Sequence, residues 1–165
     1  MKATLVMATL LKQPPSSCDI DSDFYDWTQQ QASLIRQRRW SEVDVENLAE
    51  EVEDLGNSQK SEIGSRLAVV IQHLLKWEFQ PQKRKYGWKS TIQTQRTIIG
   101  GKIEASPSLK HQPAQSLARS YRLGRAKAAA GTGLPEKTFP AECPWEIADI
   151  LDDGFYPGPR EPWLD

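Results

Sequence analysis

Three groups of side chains in this chain have types and spacings suited to chemistry. The first is Arg66 with His73. Seven residues is nearly two helical turns. On a helix the two side chains therefore share a face about 10 Å apart along the axis, with Glu62 one turn before Arg66 on that face. There a histidine can act as acid and base on a phosphodiester while an arginine neutralises charge developing on the phosphate, as a metal-independent RNase requires. The plainer alternative is a satisfied histidine at the boundary of an apolar stripe, since His73 lies to the side of the stripe's centre. The second group is the ladder Glu46, Glu50 and Glu53. Carboxylates at this spacing share a helix face, as in bundle di-metal sites, but such sites also need Glu-x-x-His. His73 falls far around the helix from these acids, and no Glu-x-x-His occurs in the chain. The ladder reads as a solvated or salt-bridged face, with no metal and no cofactor expected.

The third group is a segregation of charge. From Glu42 to Glu62 there are eight acids and one lysine, a net −7; from Pro81 to Lys127 there are eleven bases and one acid, a net +10. The whole chain carries only −1, so the asymmetry is internal and says more about partners than the total does. Lys83, Arg84, Lys85 and Lys89 interleave with Tyr86 and Trp88, Arg96 follows, and Arg119, Arg122 and Arg125 recur downstream. These eight bases suit a nucleic acid, neutralising phosphates while an exposed aromatic stacks on a base. They equally suit an acidic protein partner, or internal pairing with the acidic block. As the first residue of an apolar face, Trp88 reads as core.

These groups need elements to position them, and the principal one is a long helix over about 42–80. Val45, Leu48, Val52, Leu55, Ile63, Leu67, Val70, Leu74 and Trp77 recur at steps of three and four, keeping phase across Gly56-Asn57. Ser41 with Asp44 forms an S-x-x-[DE] capping box. Ahead of it, Asp21 or Asp23 caps a helix over about 24–39, on which Gln29, Gln30 and Gln31 read as solvated surface. Trp40 at the corner reads as a staple partner for the long helix. Beyond it the spacing predicts a third helix over about 88–104 and a fourth from a Ser108 cap to about 130. Pro113 fits only in the fourth helix's first turns or at a kink. A short helix follows over about 145–151, with Pro144 at its first position. Expected, then, is an all-α bundle of four main helices plus a short C-terminal one, as a single domain over 21–157. Residues 1–20 read as an extension and linker, and 158–165 as an irregular tail. Two cysteines far apart without C-x-x-C argue against a disulfide framework and for a reducing cytoplasm. No apolar run reaches the length that spans a bilayer, so no membrane partner is expected. The apolar run after Met1-Lys2 resembles a short signal-peptide core with a poor cleavage region, and reads better as an extension.

Several stretches together carry a resemblance. They are Phe24-Tyr25-Asp26-Trp27-Thr28, the run from Asp44 to Glu53, Ser65-Arg66-Leu67, His73-Leu74-Leu75-Lys76-Trp77, Trp88 with Ile92, Gln95 and Arg96, Ser106-Pro107-Ser108-Leu109, and the run from Phe139 to Trp145. In this order the chain resembles the domain-of-unknown-function family twenty-nine, abundant in cyanobacteria, over about residues 21–157. The resemblance implies an all-α fold and supplies no catalytic residues. Arg66 and His73 are also similar in spacing to the pair of HEPN-class RNases, although Leu67 stands where that class usually has a polar residue. The expected function is thus a small cytoplasmic helical binding protein that uses region 81–127. An RNase with Arg66, His73 and Glu62, and a structural protein without activity, are the alternatives. An exposed stripe on so long a helix would favour a homodimer.

Overall fold

The computed structural model describes residues 19–158. The extension before Asp19, Cys18 and the tail beyond Gly158 lie outside the described residues. Five α-helices follow in order: α1 (Phe24–Arg36), α2 (Val45–Phe79), α3 (Tyr86–Ala105), α4 (Gln112–Thr132) and α5 (Ile147–Leu151). Short 3-10 turns connect them, and no strand occurs among the described residues. The expected bundle of four main helices and a short fifth is therefore the fold. Contacts divide the chain into two compact units, Met1–Leu55 and Gly56–Asp165.

In the first unit α1 starts where the Asp23 carboxylate accepts the Asp26 N–H at 3.0 Å. It ends at Arg36 rather than Arg39, because Arg38 turns into the left-handed region at φ 59° and stops the helical ladder. The cap of α2 is Asp44, not Ser41. Its carboxylate accepts the Asn47 N–H at 3.3 Å, and Ser41 is taken up in a 3-10 turn, Trp40–Glu42. Gln31 explains the choice: its side-chain oxygen accepts the Asp44 N–H at 2.9 Å. Gln31 is accordingly buried, not solvated, beside Trp27, whose indole N–H donates to the Asp44 carboxylate at 3.4 Å. Trp40, expected as a staple partner, is 61% exposed. Val45, Val52 and Leu55 keep their helical phase but stand exposed.

In the second unit α2 runs on through Gly56 and Gly64 without a break. The expected stripe Ile63, Leu67, Val70, Leu74 and Trp77 is buried, and so are Ala68, Ile71 and Leu75, about 100° further round the helix. Two buried faces need two covering elements. One is α3, through Trp88, Ile92 and Ile99; the other is α4, through Ser120, Tyr121, Gly124 and Ala128. The Ser120 hydroxyl donates to the Gly64 carbonyl at 2.9 Å, tying α4 to α2 where both carry small residues. α4 begins at Gln112 rather than at Ser108, because Pro113 lacks an N–H and its ring would clash inside a helix; it sits in the first turn. Gly133, at φ 74°, closes α4 by donating to the Ala129 carbonyl at 2.9 Å. The segment after α4 is held by the Tyr121 hydroxyl donating to the Pro140 carbonyl at 2.8 Å and by Phe139 against Phe79. α5 begins at Ile147, so Pro144 lies before it rather than at its first position. Among the described residues, no helix is long and apolar enough to cross a membrane.

Candidate anion-binding surface

Arg66, Glu62 and His73 all lie on α2 in the second unit. The Arg66 guanidinium donates to one Glu62 oxygen at 2.8 and 2.5 Å and to the Gln95 side-chain oxygen on α3 at 3.1 Å. Lys102 of α3 also pairs with Glu62. Lys102 first, then Arg66, hold the Glu62 carboxyl below the usual carboxylate range. This cluster bolts α2 to α3 and neutralises the arginine. His73 faces elsewhere for its partner: its Nδ1 lies 2.9 Å from the Val69 carbonyl, one turn back. A carbonyl only accepts, so Nδ1 carries a hydrogen. Burial, together with the nearby charges of Lys76 and Lys85, pushes the His73 pKa down from 6.5 against the opposing Val69 hydrogen bond. Among the described residues no hydrogen bond joins Arg66 to His73, and each has a structural partner of its own.

A histidine with a depressed folded pKa binds fewer protons folded than unfolded. Its contribution to stability is present above pH 6.5 and is lost as pH falls from there through the folded pKa. Wild type is therefore expected to lose more unfolding free energy than His73→Gln between about pH 7.5 and about pH 5.5, measured by urea unfolding. An equal loss in both proteins would remove His73 as the titrating group.

The eight candidate bases among the eleven of region 81–127 divide by depth. Arg84 is buried: its Nε donates to the Trp77 carbonyl at 2.9 Å and its guanidinium lies 5.1 Å from the Trp77 ring. Arg96 is 4% exposed and donates to the carbonyls of Ile150 at 2.8 Å and Phe155 at 3.0 Å. The first of these is a C-terminal carbonyl of α5, where a cation is favoured. Arg125 pairs with Glu136 through both its side chain and its backbone carbonyl. Lys89 lies over the Tyr156 ring. Of these expected binding residues, Arg84 and Arg96 are thus buried on carbonyl partners, while Arg125 is partly exposed and paired with Glu136. Lys83, Lys85, Arg119 and Arg122 are exposed. Of the two aromatics among them, Tyr86 is 82% exposed, whereas Trp88 is core, with Lys76 4.7 Å and Lys85 5.8 Å from its ring.

Apart from Lys83 and Lys85, the exposed candidate bases lie on α4. This helix has no acidic residue, and its solvent face presents Arg119, Arg122 and Lys127 with Ala118, Leu123, Ala126 and Ala130 between them. Arg119 and Lys127 lie about 12 Å apart along the axis. Among the described residues none of these three cations has an ion-pair partner. Beside Arg119, between α4 and α2, is a groove of about 140 Å³ lined by Lys60, Ser61, Ser65 and Ser116 among others. Two cations with hydroxyl donors between them suit an anion of phosphate size. Neither Lys60 nor Lys127 was in the expected set. Lys127 was legible, falling eight residues after Arg119 and thus on one face. Lys60 sits inside the acidic block, and only the approach of α4 gives it a role. On the acidic side, Glu42 pairs with Arg39 and Glu62 with Arg66 and Lys102, while Glu46, Glu50, Glu51, Glu53 and Asp54 have no ion pair among the described residues. Nor does any group of three or more His, Cys, Asp or Glu among the described residues converge as a metal site.

The sequence profile of a protein family described as Domain of unknown function DUF29 matches residues 20–156. No curated protein and no solved structure matches the chain.

Proposed function

As the chain belongs to the family described as Domain of unknown function DUF29, whose description names no activity, we propose a function from the surface itself: a binding protein that holds a nucleic-acid backbone along α4. The observation that carries this reading is the acid-free solvent face of Arg119, Arg122 and Lys127, adjoining the groove that Lys60 and the serines line. Cations without internal partners gain by releasing the counterions condensed on a polyanion, and affinity then falls steeply with salt. Exposed Tyr86, beside Lys83 and Lys85, offers a ring for a base to stack on. The free thiol of Cys143 suits a reducing cytoplasm.

Arg119→Glu/Arg122→Glu is expected to weaken binding of a labelled single-stranded RNA at least about tenfold. It should also flatten the slope of log affinity against log salt by about 1.4, two contacts at about 0.7 each. Fluorescence anisotropy measures both. His73→Ala should leave binding unchanged, and a gel of the recovered RNA should show it intact. Undiminished binding by the double variant would remove α4 from the interface. If wild type cleaves the RNA and His73→Ala does not, the Arg66–His73 enzyme replaces this reading.

A further inference from the structure

We propose that this chain associates head to tail with a second copy of itself, the N-terminal part of α2 in one molecule docking on the solvent face of α4 in the next. Among the described residues, the first unit buries Trp27 and Leu34 but leaves its other large apolar residues partly or largely exposed. Of the eight exposed large hydrophobic residues among the described ones, six precede Gly56: Phe24, Tyr25, Trp40, Val45, Val52 and Leu55. Concentration of exposed apolar surface in a small part of a chain marks an association surface. Val45, Val52 and Leu55 form one line on α2, and at about 100° per residue Glu51 flanks one side of it and Glu46 with Glu53 the other. The line covers about 15 Å, or roughly three turns.

The chemistry of the occupant follows from those flanks. It must offer small apolar groups down the middle and cations on both sides. α4 has this pattern: Leu123, Ala126 and Ala130 run along its solvent face, with Arg122 to one side and Lys127 to the other. Leu123 is itself 42% exposed. A symmetric contact of two acidic stripes would instead set glutamates against glutamates, which costs affinity. An interface between unlike faces leaves one face open on each end molecule, so assembly grows with concentration. Nucleic acid and the second copy would compete for α4, but the inference rests on the acidic stripe and stands without the nucleic-acid reading.

Sedimentation velocity at about 50 mM salt tests it, with a second series at about 500 mM, where surface charge is screened. Wild type is expected to associate with rising concentration at low salt and to be monomeric at high salt. An acidic-face variant, Glu46→Lys/Glu51→Lys/Glu53→Lys, and a basic-face variant, Arg119→Glu/Arg122→Glu, should each be monomeric. Mixed together they should associate with each other, since one junction between them keeps the wild-type faces and the other has both charges reversed and still matched. This rescue shows that neither variant had merely misfolded. A monomeric wild type at every concentration, association of the acidic-face variant alone, or an unpaired mixture would each overturn the proposal. RNA binding by a wild type that never associates would sink this inference and leave the proposed function standing.

Discussion

Gly124→Ala is expected to lower the unfolding free energy by about 1–2 kcal/mol, and Gly124→Leu to do so by more than about 4 kcal/mol or prevent folding. A Cβ at Gly124 would lie 2.8 Å from the Ala68 carbonyl oxygen, 3.0 Å from Ile71 Cγ2 and 3.1 Å from the Gln72 nitrogen. Two of these three are backbone atoms of α2 and cannot rotate away, so α4 itself has to move. Alanine normally helps a helix by about 1 kcal/mol over glycine, which offsets part of the clash. Gly101→Ala on α3 is the control. Nothing lies within 4 Å of its Cβ position, so the same change there should stabilise by about 0.5–1 kcal/mol. Urea unfolding followed by tryptophan fluorescence measures all three. Opposite signs at the two glycines would establish that the α2–α4 approach demands glycine, and equal signs would contradict it. The result bears on function because this approach sets Lys60 beside Arg119.

Arg96→Met is the second large effect, a loss of about 2–4 kcal/mol. Two carbonyls, those of Ile150 and Phe155, lose a charged donor and stay buried. Burying methionine costs less than burying a guanidinium, which returns part of the loss. Arg96 also lies 5.5 Å from the Tyr156 ring, which in turn leans on Trp77 at 5.1 Å. The C-terminal segment is therefore expected to loosen first. Hydrogen exchange over residues 147–157 should rise in the variant before exchange in α2 does. Arg96→Lys keeps the charge but not the fork that spans both carbonyls, and should recover only part of the stability. Unchanged exchange in this segment would mean that Arg96 does not secure it.

Gly124 shows where sequence pattern stops being informative, since only the close approach of α2 demands a glycine there. The long helix was legible because its apolar steps stay in phase for ten turns' worth of chain, and neither Gly56 nor Gly64 interrupts a ladder whose far half is packed on two sides. Its start was misplaced because two acceptable caps lie three residues apart, and a buried Gln31 on another helix decides between them. The basic region was legible as charge but not as depth. Arg96 did carry a signal: Trp88, Ile92, Arg96 and Ile99 share the helical spacing of one buried stripe, and an arginine within such a stripe is a structural one. Arg84 and Arg125 carried none, since their partners are carbonyls and an acid brought close only by folding. The stripe at Val45, Val52 and Leu55 has the periodicity of core and the exposure of an interface, a distinction that periodicity alone does not make.

The most direct test of the central claim is a salt series of anisotropy with a labelled single-stranded RNA and wild-type protein. With Arg119, Arg122, Lys127 and Lys60 each meeting a phosphate, log affinity should fall against log salt with a slope of about −2 to −3. No binding at low salt, or binding whose affinity does not change with salt, would contradict a polyanion site on α4.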